Sequence, residues 1–279
     1  MKKLLALLLA LAVTVCCAVC ATAASPTYVV SKVTGNGTTL NAKYDAPTKV
    51  LSYSGNCKNG YEPNFPVEMA MLLGSKNRNN QALAILTGSE WLTASSLSDA
   101  AGSGKLKRIQ YKLKDENGKA YNAEANYTAK NGRVTSSDES VKWSAKGSHG
   151  DFYNSFTYDG SGNLTSYEAD GSISMTYLVS YANGVPTSIS GSDTASAASE
   201  SYTLKTSNGH ITSAECKSGY TSYTMSFQYD SNGRISSVRS TDSKGNKAVV
   251  VSNVKYNSNG TVASMNLYGK TYTYSYMKL

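Results

Sequence analysis

Along the second half of the chain, apolar and polar positions alternate with a period of two. In "YTMSFQY", Tyr223, Met225, Phe227 and Tyr229 fall on one face, and Thr224, Ser226 and Gln228 on the other. This is the pattern of a strand with one buried side. The phrase also recurs: "FTYDGSGNLTSY" begins at Phe156, "FQYDSNGRISSV" at Phe227 and "VKYNSNGTVASM" at Val254.

Glycine sets the register of the repeat. Gly132, Gly162, Gly209, Gly233 and Gly260 each precede a variable residue, an aliphatic, a small residue and a Ser, with a degenerate copy starting at Asn183. An aromatic or aliphatic stands a few residues upstream: Tyr127, Tyr158, Tyr181, Leu204, Tyr229 and Tyr256. The Asn and Gly residues tolerate positive φ, as a short hairpin loop with a G1-type bulge requires, and Asp230 or its equivalent can accept turn amides. Each unit therefore reads as a β-hairpin. Successive glycines lie 22 to 30 residues apart, which leaves room for two strands and a second turn.

The pattern extends upstream in weaker form, with a hairpin turn in "KDENGKAY" from Lys114 and a worn copy in "KYDAPTKVLSYS" from Lys43. Residues 65–100 break it. "FPVEMAMLLGSKN" and "SEWLTASSLSDAA" have helical length and spacing, with Pro66 suited to a first turn; a loop containing a strand is the alternative. The expected fold is all-β: an antiparallel meander of hairpin repeats curled into a half-shell or open barrel, with one or two short helices near residues 65–100. Its expected divisions are a leader over 1–24, an N-terminal β region with the helical insert over 25–105, and the hairpin repeats over 106–279, in one continuous sheet.

Composition sharpens this picture. The chain has 21 Tyr against 4 Phe, which suits pleated surfaces where the ring packs and the hydroxyl finds a polar partner. The first residues form a different class: Lys2 and Lys3, an apolar run from Leu4 to about Ala18, then small residues at Ala21, Ala23 and Ala24. That is a secretory signal pattern, with a retained anchor as the alternative. Export would place the protein outside the cell or in the cell envelope, periplasmic or at the surface, with no membrane span after cleavage. Cys16 and Cys20 follow Val and Cys17 follows Cys, which argues against lipid attachment, since lipoprotein signals place a small residue before the cysteine. Cys57 and Cys216 remain as a pair that an oxidising compartment would join, a bond worth about 4 to 5 kcal/mol on the chain-entropy model. Two buried thiols are the alternative. The net charge of +8 is spread without long like-charge blocks, so a nucleic-acid partner is not expected.

"FTYDGSGNLTS" and "FQYDSNGRISS" resemble the YD repeats, also called RHS repeats, of bacterial wall-associated and toxin-complex proteins. Tyr158-Asp159 and Tyr229-Asp230 carry the signature best, while Tyr256-Asn257 and Tyr127-Thr128 depart from it at the acid. Over residues 120–279 the resemblance implies a long antiparallel sheet coiled into a strip or shell. The encapsulation and self-cleavage of the large members are not implied, because this chain lacks their C-terminal core motif. It looks more like small exported bacterial β-proteins that carry a few such repeats.

No catalytic constellation emerges. His149 and His210 are the two histidines, the latter in the variable slot after a turn glycine, so a catalytic zinc site is not expected. "AAGSGKLK" fails as a phosphate loop, with Asp99 where a glycine is needed and Leu106 where Ser or Thr is needed. Asp138 with Glu139, and Glu168 with Asp170, sit in polar stretches where solvated charge explains them better than glycosidase chemistry. The expectation is a noncatalytic binding or scaffold protein without cofactor or metal, whose partner is a glycan or another protein. A row formed by Tyr272, Tyr274 and Tyr276 on the last strand is the candidate binding face, unless these rings pave the sheet interior. The alternative function is a carrier holding a lipid-like ligand inside a curled sheet.

Overall fold

The computed structural model describes residues 27–58, 62–75, 78–87, 98–144, 148–170, 174–193, 199–219 and 221–279. The expected leader lies outside the described residues. Three strands, β1 (Tyr28–Gly35), β2 (Thr38–Asp45) and β3 (Val50–Asn56), precede the helices α1 (Phe65–Leu73), α2 (Arg78–Thr87) and α3 (Ser98–Gly102). Then follow β4 (Arg108–Lys114), β5 (Ala120–Lys130), β6 (Arg133–Trp143), β7 (Ser148–Tyr158), β8 (Leu164–Asp170), β9 (Met175–Ala182) and β10 (Val185–Asp193). The chain continues through β11 (Ser199–Ser207), β12 (His210–Ser218), β13 (Thr221–Tyr229), β14 (Ile235–Asp242), β15 (Lys247–Tyr256), β16 (Val262–Leu267) and β17 (Lys270–Lys278).

Each strand pairs with its neighbour in sequence, and β17 pairs back onto β1 from Tyr28↔Lys278 to Thr34↔Thr273. The sheet is therefore a closed barrel of seventeen strands, the expected curled antiparallel meander carried to full closure. Closure removes the edges that an open sheet would leave exposed. An odd number of strands cannot alternate direction all the way round, so one neighbouring pair must run parallel. That pair is β3–β4. A parallel step needs a long crossover, and the segment between Asn56 and Arg108, which holds all three described helices, provides it.

Seventeen strands enclose more space than side chains on the wall can fill. The helices occupy part of it. Every residue of α1 from Pro66 to Leu73 is buried, as suits a helix that is apolar on every side except at Glu68. The inward face of the wall supplies the rest, including Tyr53, Tyr111, Tyr121, Tyr167 and Tyr272, all among the largest fully buried side chains. Most outward positions are polar, as in Lys43 and Asp45 on β2, Lys112 and Lys114 on β4, Glu215 and Lys217 on β12, and Thr224 and Gln228 on β13; Tyr153, Leu178 and Val249 are exposed exceptions. A bilayer-spanning barrel carries the reverse, an apolar band outside. No helix among the described residues is long and apolar enough to cross a membrane.

The recurring Tyr-Asp phrase now has a physical reading. The five repeat glycines all take positive φ, from 68° at Gly233 to 89° at Gly162, but they serve two turn types. At Asn131-Gly132 and Asn208-Gly209 both residues have positive φ, the two-residue type I′ hairpin. Around Gly162, Gly233 and Gly260 the loop is longer, with the glycine amide donating to the carbonyl of Asp159, Asp230 or Asn257 and only the glycine at positive φ. In those loops the aspartate works as a clamp. One Asp159 oxygen accepts the amides of Ser161 and Asn163, and one Asp230 oxygen those of Asn232 and Arg234, all at 2.8–2.9 Å. Asp115 and Asp242 repeat the arrangement.

The tyrosine joins one hairpin to the next. Tyr158 donates its hydroxyl proton to the Val134 carbonyl, Tyr181 to Leu164, Tyr229 to Ile211 and Tyr256 to Ile235, at 2.6–3.0 Å. The variable residue after the glycine can cover that ring. Arg234 lies 4.2 Å over Tyr256, Arg133 5.7 Å over Tyr158, and His210 stacks on Tyr229 at 4.8 Å. Tyr and Asp thus fix wall geometry, and the repeat turns collect at one rim of the barrel.

Candidate functional site

Inside the barrel, α1 packs on β1 and β16 and sends side chains toward two walls. Toward β3–β5 the contact is filled and polar at its centre. The Glu68 carboxylate on α1 accepts hydrogen bonds from Asn64 at 2.8 Å and from the Tyr111 hydroxyl at 3.3 Å, and Tyr121 donates to Asn64 Oδ1 at 2.8 Å. Tyr53 stacks on Tyr111 with ring centroids 5.3 Å apart and donates to the Val30 carbonyl. Burial, reinforced by the neighbouring Glu68, pushes the Tyr53 and Tyr111 hydroxyls well above the usual tyrosine range. They act as neutral donors.

Toward β13–β15 a gap is left. Phe65 and Met69 of α1 and Ala84, Ile85 and Leu86 of α2 form one side of it. The inward residues Tyr223 and Met225 of β13, Ser240 of β14, Ala248 and Val250 of β15, and Tyr268 in the turn after β16 form the other. The cavity is about 500 Å³ and opens at the rim opposite the repeat turns, where Ala248 is exposed. Among the described residues that line it, none is charged. Strand alternation in "YTMSFQY" marks Tyr223 and Met225 as inward, but nothing in the sequence says that helices leave this stretch of wall uncovered.

Tyr223 connects the cavity to a hydrogen-bonded network on the inner wall. It bonds Tyr202 and Cys216, its cross-strand neighbours through Tyr202↔Cys216 and Cys216↔Tyr223. Tyr202 donates to Glu200 at 2.7 Å, and the same carboxylate accepts from Tyr177 at 3.1 Å and Ser218 at 3.0 Å. Gly191 makes room for this: a Cβ there would lie 2.5 Å from the Tyr177 ring. Burial raises the Tyr223 hydroxyl to about 12 and the Cys216 thiol to about 11. Neither is a nucleophile at neutral pH.

The expected binding row is corrected. Tyr272 and Tyr274 are 1% and 8% exposed and face the interior, and burial raises the hydroxyls of Tyr274 and Tyr276 above their usual range. Barrel closure put β17 between β16 and β1, so these rings became core. The disulfide is corrected as well. Cys57 and Cys216 are buried free thiols; one follows β3, the other lies in β12, and the barrel interior separates them. Cys57 instead accepts from the Thr38 hydroxyl.

The other singled-out residues disperse. The His149 side chain lies outside the described residues. Lys105 donates to the Leu279 carbonyl at 2.9 Å and its own carbonyl accepts from Tyr44, a structural anchor. Asp138 points outward while Glu139 is buried, as alternation demands, so they do not form a pair. On the outer wall, Asp138, Asp151 and Asp170 surround the half-exposed Tyr153 beside Asn126, in a shallow groove of about 450 Å³. Sequence reading missed Asp151 and Tyr153, which join the others only through the register Asn126↔Asp138, Asp138↔Tyr153 and Tyr153↔Asp170. Among the described residues no group of His, Cys, Asp and Glu is arranged to hold a metal.

No protein-family model matches the chain, and no curated protein matches it either. Solved structures give distant likenesses. A porin-like protein from Bacteroides uniformis aligns over 57% of this chain and 91% of its own, at 11% identity and a TM-score of 0.29. The Tc holotoxin pore of Photorhabdus luminescens aligns over 53% of this chain, at 8% identity and a TM-score of 0.16, and the match spans 13% of that toxin chain. Scores this low decide nothing about the present chain.

Proposed function

We propose that this protein is a noncatalytic binding protein or carrier for an apolar small molecule, held between α1, α2 and the β13–β15 wall. The observation that carries this reading is a cavity of about 500 Å³ whose described lining carries no charge, inside a barrel whose outer face is mostly polar. Ligand sites of this size are concave, mostly apolar and supplied with few polar groups. The described interior groups are consistent with binding without chemistry: burial raises the Tyr53, Tyr111 and Tyr223 hydroxyls and the Cys216 thiol, and Glu68 and Glu200 accept from hydroxyl and amide donors. With the leader pattern at residues 1–24, the protein acts after export, at the cell envelope or outside the cell. Titration of the exported protein with an environment-sensitive naphthalene dye tests the reading. Saturable binding at one site, abolished by Ala84→Phe in a protein that still melts cooperatively, is the expected result. Binding that survives this filled cavity would refute it.

A second reading attaches to the outer groove. A half-exposed aromatic ring among carboxylates and an amide is the set of groups that holds a sugar, the ring stacking on its apolar face and the oxygens taking its hydroxyl protons. Glycan-array binding that disappears in Tyr153→Ala would favour it; an array without signal would remove it.

A further inference from the structure

We infer that Tyr268 is a ligand-contacting residue, and that the cavity it borders takes a flat aromatic ring in preference to a saturated hydrophobe of the same skeleton. This rests on the proposed function of the same cavity.

The first observation is a break in the turn pattern. Five two-residue turns among the described residues place both central residues at positive φ. In four of them the first residue is Asn, at Asn36, Asn131, Asn183 and Asn208, with φ between 51° and 54°. Asn tolerates this conformation because its short polar side chain bonds locally. In the fifth, between β16 and β17, the first residue is Tyr268 at a φ of 46°, followed by Gly269 at 80°. A bulky side chain is strained there, and such strain persists where a site requires that side chain. The turn itself gives no reason for a tyrosine, since the other four close with Asn.

The second observation is where the ring stands. The Tyr268 amide donates to the Val250 carbonyl at 3.0 Å, which holds the turn against β15 at the cavity wall. The ring lines the cavity together with Phe65, with centroids 6.2 Å apart and planes tilted by 32°. Tyr268 is also 38% exposed, so it borders the mouth rather than the floor.

Two tilted rings on one side of a cavity define the chemistry that fits. Their faces and edges carry opposite partial charge, so a third ring gains from offset or edge-on packing that a saturated ring cannot make. Met69 and Met225 line the same space, and thioethers also make favourable contacts with ring edges. A saturated hydrophobe gains from burial alone.

The test is titration calorimetry of the exported protein with 2-naphthalenemethanol and decahydro-2-naphthalenemethanol, which share a carbon skeleton and a hydroxyl and differ in aromaticity. The naphthalene compound should bind about threefold to tenfold more tightly, the range that ring pairing adds to burial. A site that rewarded only apolar area would bind the saturated compound at least as well. In Tyr268→Asn the two affinities should converge to within about twofold. Its melting temperature should equal or exceed the parent's, because the turn then matches the other four. Tyr268→Phe should keep the preference. Unchanged selectivity in Tyr268→Asn would overturn the inference. So would a melt well below the parent's, which would mean that the ring is kept for packing. Equal affinities in the parent, with both abolished by Ala84→Phe, would overturn the aromatic preference and leave the cavity reading standing. Binding of neither compound, or of both to Ala84→Phe, would overturn the cavity reading itself.

Discussion

The wall at β3–β5 and the wall at β13–β15 are built alike and used differently. Both alternate polar-out and apolar-in, and both place tyrosines on the inner face. On the first wall, Tyr53, Tyr111 and Tyr121 meet α1 and close over Asn64 and Glu68. On the second, Tyr223 turns to its strand neighbours, and a cavity separates Met225 and Val250 from the helices. Wall sequence is not the cause of the difference. The helices of the crossover pack on either side of the second wall, α2 on β12 and α1 on β16 and β1, and the space between them is left open over β13–β15.

The largest effect should come from the filled side. Glu68→Leu leaves Asn64 and Tyr111 as buried donors without an acceptor and should destabilise by about 2 to 4 kcal/mol. Denaturant melts check it; a loss under about 1 kcal/mol would mean that α1 is not clamped to this wall. Next, truncations should separate the two walls. Ile109→Ala on β4, where Ile109 is fully buried, should cost about 3 kcal/mol, and Met225→Ala beside the existing cavity about 1 to 2 kcal/mol. Equal losses in parallel melts would erase the distinction.

The turn devices are shared by both walls and should respond alike. Gly233→Val forces a β-branched residue to a φ of 68° and should cost more than about 1 kcal/mol. Tyr256→Phe removes one hydroxyl bond to the Ile235 carbonyl, and should cost about 1 kcal/mol. The smallest effect is acid sensitivity. Hydrogen bonds from the Asn163 side chain and turn amides hold Asp159 below the usual 3.8, and in Asp230 bonds from Arg234 outweigh an opposing burial effect. A depressed folded-state value gives stability that is complete above the unfolded value near 3.8 and is lost as pH falls through the lower folded value. Melting temperature should therefore drop below about pH 4, and less steeply in Asp230→Asn. An unchanged slope in that variant would show that the clamp is not ionic.

The strands from residue 107 onward were legible because period-two alternation and Asn-Gly or Asp-x-x-Gly turns are local signals. So was a helical segment near residues 65–100, in the structure three short helices among the described residues rather than one or two. The single repeat read from the glycines divides into two turn types, since a type I′ turn and a G1 loop both end in glycine at positive φ. The candidate site was much less legible. Inward Tyr223 and Met225 follow from alternation, but their facing Phe65, Met69 and Ala84 come from a segment more than a hundred residues upstream, and no local pattern links the two.

What the sequence by itself determined is the wall: which residues face inward, where each hairpin turns, and why Tyr and Asp recur, because each of these is settled within a hairpin or between adjacent ones. Only the tertiary structure decided that the wall closes, and with closure everything that depends on inside and outside. Pairing β17 with β1 turned Tyr272, Tyr274 and Tyr276 from a candidate platform into core. It set Cys57 and Cys216 apart as buried thiols, and its odd strand number required the parallel step whose crossover carries the helices that line the cavity. Ring closure is a property of all seventeen strands together, so no single repeat could encode it.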